Sequence, residues 1–209
     1  MKPNELQQLA QAYAFLGNSL LGTMNATSTA GLEPGFWERF PSFQNDRVAQ
    51  AVACCADFAV EAQGRIAQGQ DVATDVSVEF TYLFVGPKGP AAAPWETAYT
   101  SASPTVGFGE PTFRMQRALA EAGLQVSHEN NQYADHMGIE LLLLSELCRR
   151  ESLGQDCSLA DAATAAEFAA AYPQPWLGAF SQAVAQAAPG GYYERLLNLA
   201  GALLELQAS

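Results

Sequence analysis

Asp135 and His136 are the adjacent pair of side chains best suited to chemistry in this chain of 209 residues. An imidazole beside a carboxylate can transfer protons, and it can also hold a cationic ligand. Catalysis would need a nucleophile or a second base, and the sequence marks none. The alternative is structural, with Asp135 as the N-cap of the following helix and His136 as a satisfied surface or core residue. The residues alone favour the structural interpretation.

The remaining reactive side chains are not spaced for metal or nucleotide chemistry. The two histidines, His128 and His136, show neither H-x-x-E nor H-E-x-x-H spacing. The four cysteines form no C-x-x-C pair, and we expect them to be reduced thiols. Adjacent Cys54 and Cys55 lie in an apolar helical run and are predicted to pack as small apolar groups. No glycine-rich phosphate loop is present. The sequence therefore predicts no metal, nucleotide or other cofactor.

Composition restricts the partners. The formal net charge is −12, from 22 acidic and 10 basic residues, so nucleic-acid binding is not expected. The acidity suits a cationic partner or serves solubility alone, and charge does not decide between them. No stretch approaches 18 uninterrupted apolar residues, and the N-terminal segment lacks the apolar core of a signal peptide. These patterns predict a cytoplasmic protein without a transmembrane segment.

Apolar residues recur at helical spacing along most of the chain, which predicts an all-α fold. We expect a single-domain bundle of roughly seven to ten helices covering residues 1–209, with one long Pro/Gly/Ala-rich loop. The run at 74–84 alternates like a strand, but a helix is predicted because the chain offers no second strand to pair with it. The predicted helices span residues 4–30, 46–68, 74–84, 110–123, 136–150, 159–171, 176–187 and 192–206.

The segment 86–109 has no helical or strand period and carries Trp95, Tyr99 and Phe108. Long irregular segments inside a helical chain are frequently functional. These aromatic side chains either clamp the loop onto the body or line a recognition groove, and the sequence leaves both open. By contrast, the leucine run 141–144 is apolar all round, which predicts a central, buried helix. Trp176, Tyr192 and Tyr193 are also predicted to lie in the core.

Three sequence blocks in a fixed order resemble the TorD/DmsD family, which consists of cytoplasmic chaperones for molybdenum-containing redox enzymes. The late Trp176 and the Tyr192-Tyr193 helix fit the same family, so the resemblance covers the chain from the second helix to the end. The blocks are Tyr82-Leu83-Phe84-x-Gly86-Pro87, Pro94-Trp95-x-x-x-Tyr99 and Asp135-His136-x-Gly138-x-Glu140-Leu141.

The resemblance implies an all-helical chaperone that is not an enzyme. Its partners would be the twin-arginine signal peptide and the apo form of a molybdopterin oxidoreductase catalytic subunit, held until the cofactor is inserted. It implies a monomer, or a domain-swapped dimer with 123–134 as the candidate hinge. The residues implied to bind the peptide are Leu83, Phe84, Pro94, Trp95 and Tyr99, with Asp135 and His136 at the polar edge.

Two features depart from the family pattern. The usual E-P-x-D-H-type run is replaced by Gln132-Tyr133-Ala134-Asp135-His136, which alters the loop and the polar rim. Lys88 and several alanines stand where family members can carry bulkier apolar groups, which points to a different client peptide. Two alternatives remain: an adaptor that binds a folded redox-enzyme subunit through the Trp95 loop, and a small all-α enzyme that uses Asp135 and His136.

Overall fold

Helices form the scaffold of the protein in the computed structural model, which describes residues 1–100, 108–126 and 132–208. Within these ranges there are ten α-helices and no β-strand, which confirms the predicted all-α fold. A 3₁₀ turn at Ala30–Leu32 and a π-helical turn at Thr81–Val85 complete the helical segments. The helices are α1 (Pro3–Leu21), α2 (Pro34–Glu38), α3 (Asp46–Ala67), α4 (Val72–Phe80), α5 (Thr97–Thr100), α6 (Glu110–Glu121), α7 (Met137–Ser152), α8 (Ala165–Ala171), α9 (Gln174–Ala187) and α10 (Tyr192–Gln207).

The pairing of α1 with α7 is the central contact of the fold. A Cβ atom on Gly17 would lie 2.8 Å from the carbonyl oxygen of Gly138, and one on Gly138 would lie 2.8 Å from that of Gly17. The two glycines therefore let the backbones approach each other closely. The Ser145 hydroxyl donates to the Ala10 carbonyl at 2.6 Å and fixes the register of the pair.

The core confirms the prediction of a central α7. Leu141, Leu143 and Leu144 are at most 1% exposed, because α7 is covered by α1 on one side and contacts α8 on another. Trp176, Tyr192 and Tyr193 are buried as predicted. None of the helices in the described ranges combines the length and apolarity needed to cross a membrane.

Several predicted boundaries are confirmed. α3 begins where the Asn45 side chain accepts a hydrogen bond from the Val48 amide at 3.0 Å, and it ends before Gly69, whose φ is +83°. α6 opens at Glu110 with Pro111 in its first turn, as the sequence predicts. The ambiguous run 74–84 is helical, because α4 continues directly into the π-helical turn.

Other predictions were wrong. The first helix ends at Leu21 and not at residue 30, because the chain turns after Gly22. The helix predicted at 159–171, with Ser158 as its cap, begins only at Ala165. The hydroxyl of Ser158 bonds to Asp156, and the cap of α8 is Thr164. The segment 86–109, predicted to be irregular, contains the short helix α5.

The four cysteines carry free thiols, as expected. Cys54 is exposed, so the prediction that it packs together with Cys55 was wrong for Cys54. Cys55 is buried. His128 and part of the candidate hinge at 123–134 lie outside the described residues.

Candidate functional site

The course of the irregular segment after α4 is determined by the π-helical turn that ends the helix. The Gly86 amide donates to the Thr81 carbonyl at 2.7 Å, which closes the π-helical turn. Gly86 has φ +56°, and a Cβ atom there would lie 2.1 Å from the Gly89 carbonyl oxygen. The Ala92 amide then donates to the Leu83 carbonyl at 2.9 Å. The loop therefore returns along the helix end and delivers Trp95 to the start of α7.

The loop joins the N-terminus of α7 through backbone contacts. The Met137 amide donates to the Pro94 carbonyl at 2.9 Å, the Glu96 amide donates to the Asp135 carbonyl at 3.0 Å, and Trp95 and His136 form an isolated antiparallel bridge. The N-cap of α7 is His136 and not Asp135 as predicted, because Nδ1 of His136 accepts the Gly138 amide at 3.0 Å. Burial lowers the pKa of His136 to about 3, so its imidazole is neutral at physiological pH.

Asp135 is fully buried and ties three elements together. Its carboxyl group accepts the Thr97 amide at 3.0 Å and is in short contact with the Thr97 hydroxyl. The Thr112 hydroxyl, on α6, bonds to the other carboxyl oxygen at 2.9 Å. Asp135 therefore links α5, α6 and the start of α7, and its polar atoms are occupied within the chain.

Glu96 and Arg114 form a second polar link between the loop and α6. Nη2 of Arg114 lies 2.9 Å from each carboxyl oxygen of Glu96, and the guanidinium carbon lies 4.2 Å from the ring centre of Tyr172. Burial raises the pKa of Glu96, and the positive charge of Arg114 opposes that rise. The sequence does not predict this pair. An acidic residue between Trp95 and Tyr99 was the available signal, whereas nothing in the sequence placed Arg114 beside it.

Glu140 is a third buried carboxyl group in the same region. One of its oxygens accepts the indole N–H of Trp176 at 3.0 Å, whereas Oε1 has no hydrogen-bond partner in the described part of the chain. Burial raises the pKa of Glu140 well above its ordinary value, and the nearby charges of Glu96 and Asp135 add to the rise. Burial therefore favours the protonated form of Glu140. No three His, Cys, Asp or Glu side chains of the described ranges are grouped to hold a metal ion.

The predicted peptide-binding residues lie in one connected region, but most of them are internal. Leu83, Phe84 and Pro94 are buried. Phe84 contacts Phe180 at 5.8 Å between ring centres, and Tyr99 contacts the same ring at 6.1 Å. The structure therefore brings these residues together beneath the loop.

Trp95 and Tyr99 are the members of the predicted set that reach the surface, and both are half-buried. Tyr99 stacks on Trp176 with ring centres 5.7 Å apart. The indole nitrogen of Trp95 is itself buried and has no partner among the described residues. Asp135 and His136, predicted at an accessible polar edge, lie beneath this surface.

Exposed aromatic side chains extend the surface beyond Trp95. Tyr133 lies 6.2 Å from Trp95 and 6.0 Å from Phe108, and Phe108 lies 5.1 Å from Phe113, measured between ring centres. Tyr133, Phe108 and Phe113 are between 42% and 54% exposed. We call Trp95, Phe108, Phe113 and Tyr133 the aromatic surface. Tyr133 belongs to the run that departs from the family pattern, which was the sequence signal for this extension.

A helical fold that presents grouped, exposed aromatic side chains above buried carboxyl groups is typical of a protein that binds another polypeptide. The family model described as nitrate reductase delta subunit matches residues 45–182. The chain therefore belongs to this TorD-like family, and the resemblance to the TorD/DmsD family is confirmed. The match contains the loop, α6 and α7.

Curated relatives agree with the family assignment. The chain is 30% identical over 142 residues to the chaperone protein TorD of Vibrio vulnificus strain YJ016, covering 67% of this chain and 66% of the relative. It is 27% identical over 148 residues to the chaperone protein TorD of Vibrio cholerae serotype O1 strain N16961, covering 70% and 66%. A third relative, the chaperone protein TorD of Vibrio parahaemolyticus, is 24% identical over 168 residues. The chain matches just under two thirds of the length of the first two relatives.

Proposed function

We propose that this protein is a cytoplasmic chaperone for the maturation of a molybdenum-containing redox enzyme. In this role it binds the twin-arginine signal peptide of the apo catalytic subunit and holds the subunit until its cofactor is inserted. Membership of the TorD-like family and the names of the relatives support the chaperone role. The aromatic surface is the observation that carries the peptide-binding role.

The side chains of such a signal peptide, called the leader below, match the chemistry of the region around Trp95. A twin-arginine signal peptide combines a cationic pair with an apolar segment. Exposed aromatic rings bury apolar side chains well, and they also accept guanidinium groups on their faces. The net charge of −12 favours encounter with a cationic peptide. An apolar segment seated on the aromatic surface would lie over the segments that carry Glu96 and Asp135, which are both buried in the unbound protein.

The predicted site residues take different roles in this proposal. Trp95 and Tyr99 contact the peptide, because both reach the surface. Leu83 and Phe84 support them from beneath. His136 positions Trp95 through their backbone bridge and through a ring contact with centres 6.1 Å apart.

A binding role also fits the state of His136 better than an enzymatic one. Its Nδ1 already accepts the Gly138 amide, and burial keeps the ring neutral, so it is poorly placed to take a proton from a substrate. We propose that the chain acts as one domain and as a monomer, and that it catalyses no reaction itself.

Isothermal titration calorimetry with a synthetic leader peptide tests the proposal. The peptide is the leader of a molybdopterin oxidoreductase from the same organism, chosen by a search of the reading frames that neighbour this gene. We expect Trp95→Ala to weaken binding at least about tenfold, because a central aromatic residue contributes strongly to an interface. His136→Ala should weaken it by misplacing the same ring. Tyr82→Ala is the matched control, because Tyr82 is 53% exposed and lies outside the aromatic surface, so its affinity should not change.

The same measurement separates the chaperone from the adaptor. Binding to the folded, mature subunit, with no binding to any leader peptide, would favour the adaptor and reject the signal-peptide role. Equal loss of affinity in the Trp95 and Tyr82 variants would show that the aromatic surface is not the binding site.

A further inference from the structure

Arg114 occupies a guanidinium site that other parts of the chain build. The carboxyl group of Glu96, only 6% exposed, faces its Nη2 at 2.9 Å from each oxygen. The ring of Tyr172 covers the guanidinium at 4.2 Å. A buried carboxylate and an aromatic face are the two contacts that arginine uses best, so the pocket is specific for this chemistry.

The contact is good but not optimal. A guanidinium and a carboxylate bind most strongly through two parallel N–H···O bonds from two nitrogens. In the described structure, Nη2 alone contacts both oxygens of Glu96. A second arginine that approaches Glu96 with two of its guanidinium nitrogens could make a stronger pair than Arg114 does. Exchanging one guanidinium for another would also leave the buried carboxylate paired throughout, which avoids the cost of an uncompensated charge.

α6, which carries Arg114, is fastened largely by polar contacts. Its buried apolar side chains are Met115, Ala118 and Leu119. Near its start the Thr112 hydroxyl bonds to Asp135 at 2.9 Å, and near its end Glu121 accepts the amide of Ala160 at 2.8 Å. A helix with a small apolar face and several polar contacts can be released at a lower free energy than one packed in the centre of the core.

α6 also covers the second carboxyl group of the region. Thr112 bonds to the buried Asp135, so a movement of α6 would expose Asp135 and Glu96 together. Asp135 contacts both Glu96 and the residue that follows it. The side-chain carboxyl group of Asp135 accepts the Thr97 amide, and its backbone carbonyl accepts the Glu96 amide. Release of one helix would therefore uncover two neighbouring acceptors for cationic side chains.

We propose that Arg114 is an internal substitute for an arginine of the client peptide, and that α6 is an autoinhibitory element. A client arginine takes over the Glu96 carboxylate and the Tyr172 face, and α6 moves away from Asp135. The inference rests on the proposed function, because it requires an arginine-bearing leader as ligand. Arg114 lowers the affinity for every peptide, because a peptide must displace it. Only a peptide with an arginine regains that affinity, since its guanidinium takes the place of Arg114.

Chemical rescue tests the site without any leader peptide. Arg114→Ala leaves Glu96 without its cation, so N-methylguanidinium can occupy the empty site. Guanidinium salts also destabilise proteins in general, so the melting temperature in N-methylguanidinium chloride is compared with that in methylammonium chloride for two variants. Relative to methylammonium, N-methylguanidinium should give Arg114→Ala a higher melting temperature than it gives Glu96→Gln/Arg114→Ala. The same salt difference in both variants would overturn the proposal.

Leader binding tests the autoinhibition. We expect Arg114→Ala to bind the leader at least about tenfold more tightly than the wild-type protein, and Glu96→Gln/Arg114→Ala to lose this gain. Arg117→Ala is the matched control on the same helix. Arg117 is 61% exposed and pairs with Glu110 at 3.5 Å, so its removal should leave the affinity unchanged. If Arg114→Ala does not fold, Arg114→Lys should show a smaller gain in the same direction, because a lysine can still pair with Glu96 but lacks the planar fork and stacks less well.

The wild-type protein provides a measurement that needs no variant. Hydrogen exchange of the amides in Glu110–Glu121 should accelerate when the leader binds, because α6 is displaced. Unchanged or slower exchange there, or a leader affinity that Arg114→Ala leaves unchanged or weakens, would overturn autoinhibition while the proposed function stands. Absence of leader binding in both proteins would reject the proposed function, and the inference with it.

Discussion

At the scale of single residues, the buried carboxyl group of Glu140 gives the protein a specific pH dependence. Burial raises its pKa well above the ordinary value. A carboxyl group of this kind contributes its full stability below its unfolded pKa of about 4.3. That contribution is lost as the pH rises through the folded pKa, at no more than about 1.4 kcal/mol per pH unit. Glu140 therefore destabilises the fold at alkaline pH relative to acidic pH.

Glu140→Gln tests this assignment. An amide keeps an oxygen for the Trp176 indole, bonded at 3.0 Å in the wild type, but it does not titrate. We expect the free energy of unfolding of the variant, relative to the wild type, to rise by about 1 kcal/mol or more between pH 4 and pH 8. Urea denaturation at both pH values measures the change. A constant difference would show that the pKa of Glu140 is the same in the folded and the unfolded protein.

Glu146→Gln is the control with the opposite sign. Hydrogen bonds from Arg149, followed by those from Arg150, lower the pKa of Glu146 to about 2. Its contribution is present above the unfolded pKa and is lost as the pH falls through the folded pKa. This variant should therefore be less stable than the wild type at pH 8 and should approach it at low pH.

At the scale of elements, the π-helical turn at Thr81–Val85 determines how the loop reaches the site. The turn ends at Gly86, where the positive φ and the Gly89 carbonyl at 2.1 Å from an added Cβ leave no room for a side chain. We expect Gly86→Ala to lower the free energy of unfolding by about 2 kcal/mol or more, because strain and a clash with backbone add together. Leader affinity should fall as well, since the turn places Trp95.

Gly64→Ala is the matched control for that substitution. Gly64 lies inside α3, is exposed, and has no atom within 4 Å of an added Cβ. Alanine at an exposed helix position should stabilise the protein by about 0.5 to 1 kcal/mol. Chemical denaturation of both variants measures the difference, and equal effects would contradict the role assigned to Gly86.

Helix ends could be predicted from the sequence where a local signal decided them. Asn45 and Gly69 bound α3 through contacts within a few residues, and the predicted helix was correct there. The start of α8 was predicted wrongly because Ser158 and Thr164 are both suitable caps. The hydroxyl of Ser158 instead bonds to Asp156, which removes it as a cap. The choice depends on the turn between them, which periodicity does not describe.

The sequence predicted that the blocks around Trp95 and Asp135 lie together, but it did not predict which of their side chains are exposed. The sequence blocks placed Trp95 and Asp135 in one region, and the structure brings their segments into contact. The burial of Asp135 could not be predicted, because it arises from Thr112 on α6, a helix distant in sequence. The pairing of Glu96 with Arg114 has the same origin. Tertiary contacts of α6 therefore determine which acidic groups of this region are buried.

At the scale of the whole molecule, the region matched by the family model contains the candidate site, and helices outside it support that region. Residues 45–182 contain the loop and the aromatic surface. α1 and α10 lie outside the match, yet α1 packs along α7 and α10 packs on α3 and α9. The terminal helices therefore complete the core against which the site is positioned.

The net charge of −12 acts on the molecule as a whole and predicts how binding responds to salt. A cationic leader is attracted before contact, and salt screens that attraction over about 8 to 10 Å at physiological ionic strength. We expect the association rate constant to fall about tenfold between 50 and 500 mM NaCl, with a smaller change in the dissociation rate constant. Stopped-flow tryptophan fluorescence measures both constants, and the same measurement on Trp95→Ala gives the signal that Trp37 and Trp176 contribute. A leader whose arginines are replaced by glutamine should show a weaker salt dependence, and an equal dependence for the two leaders would exclude steering by these charges.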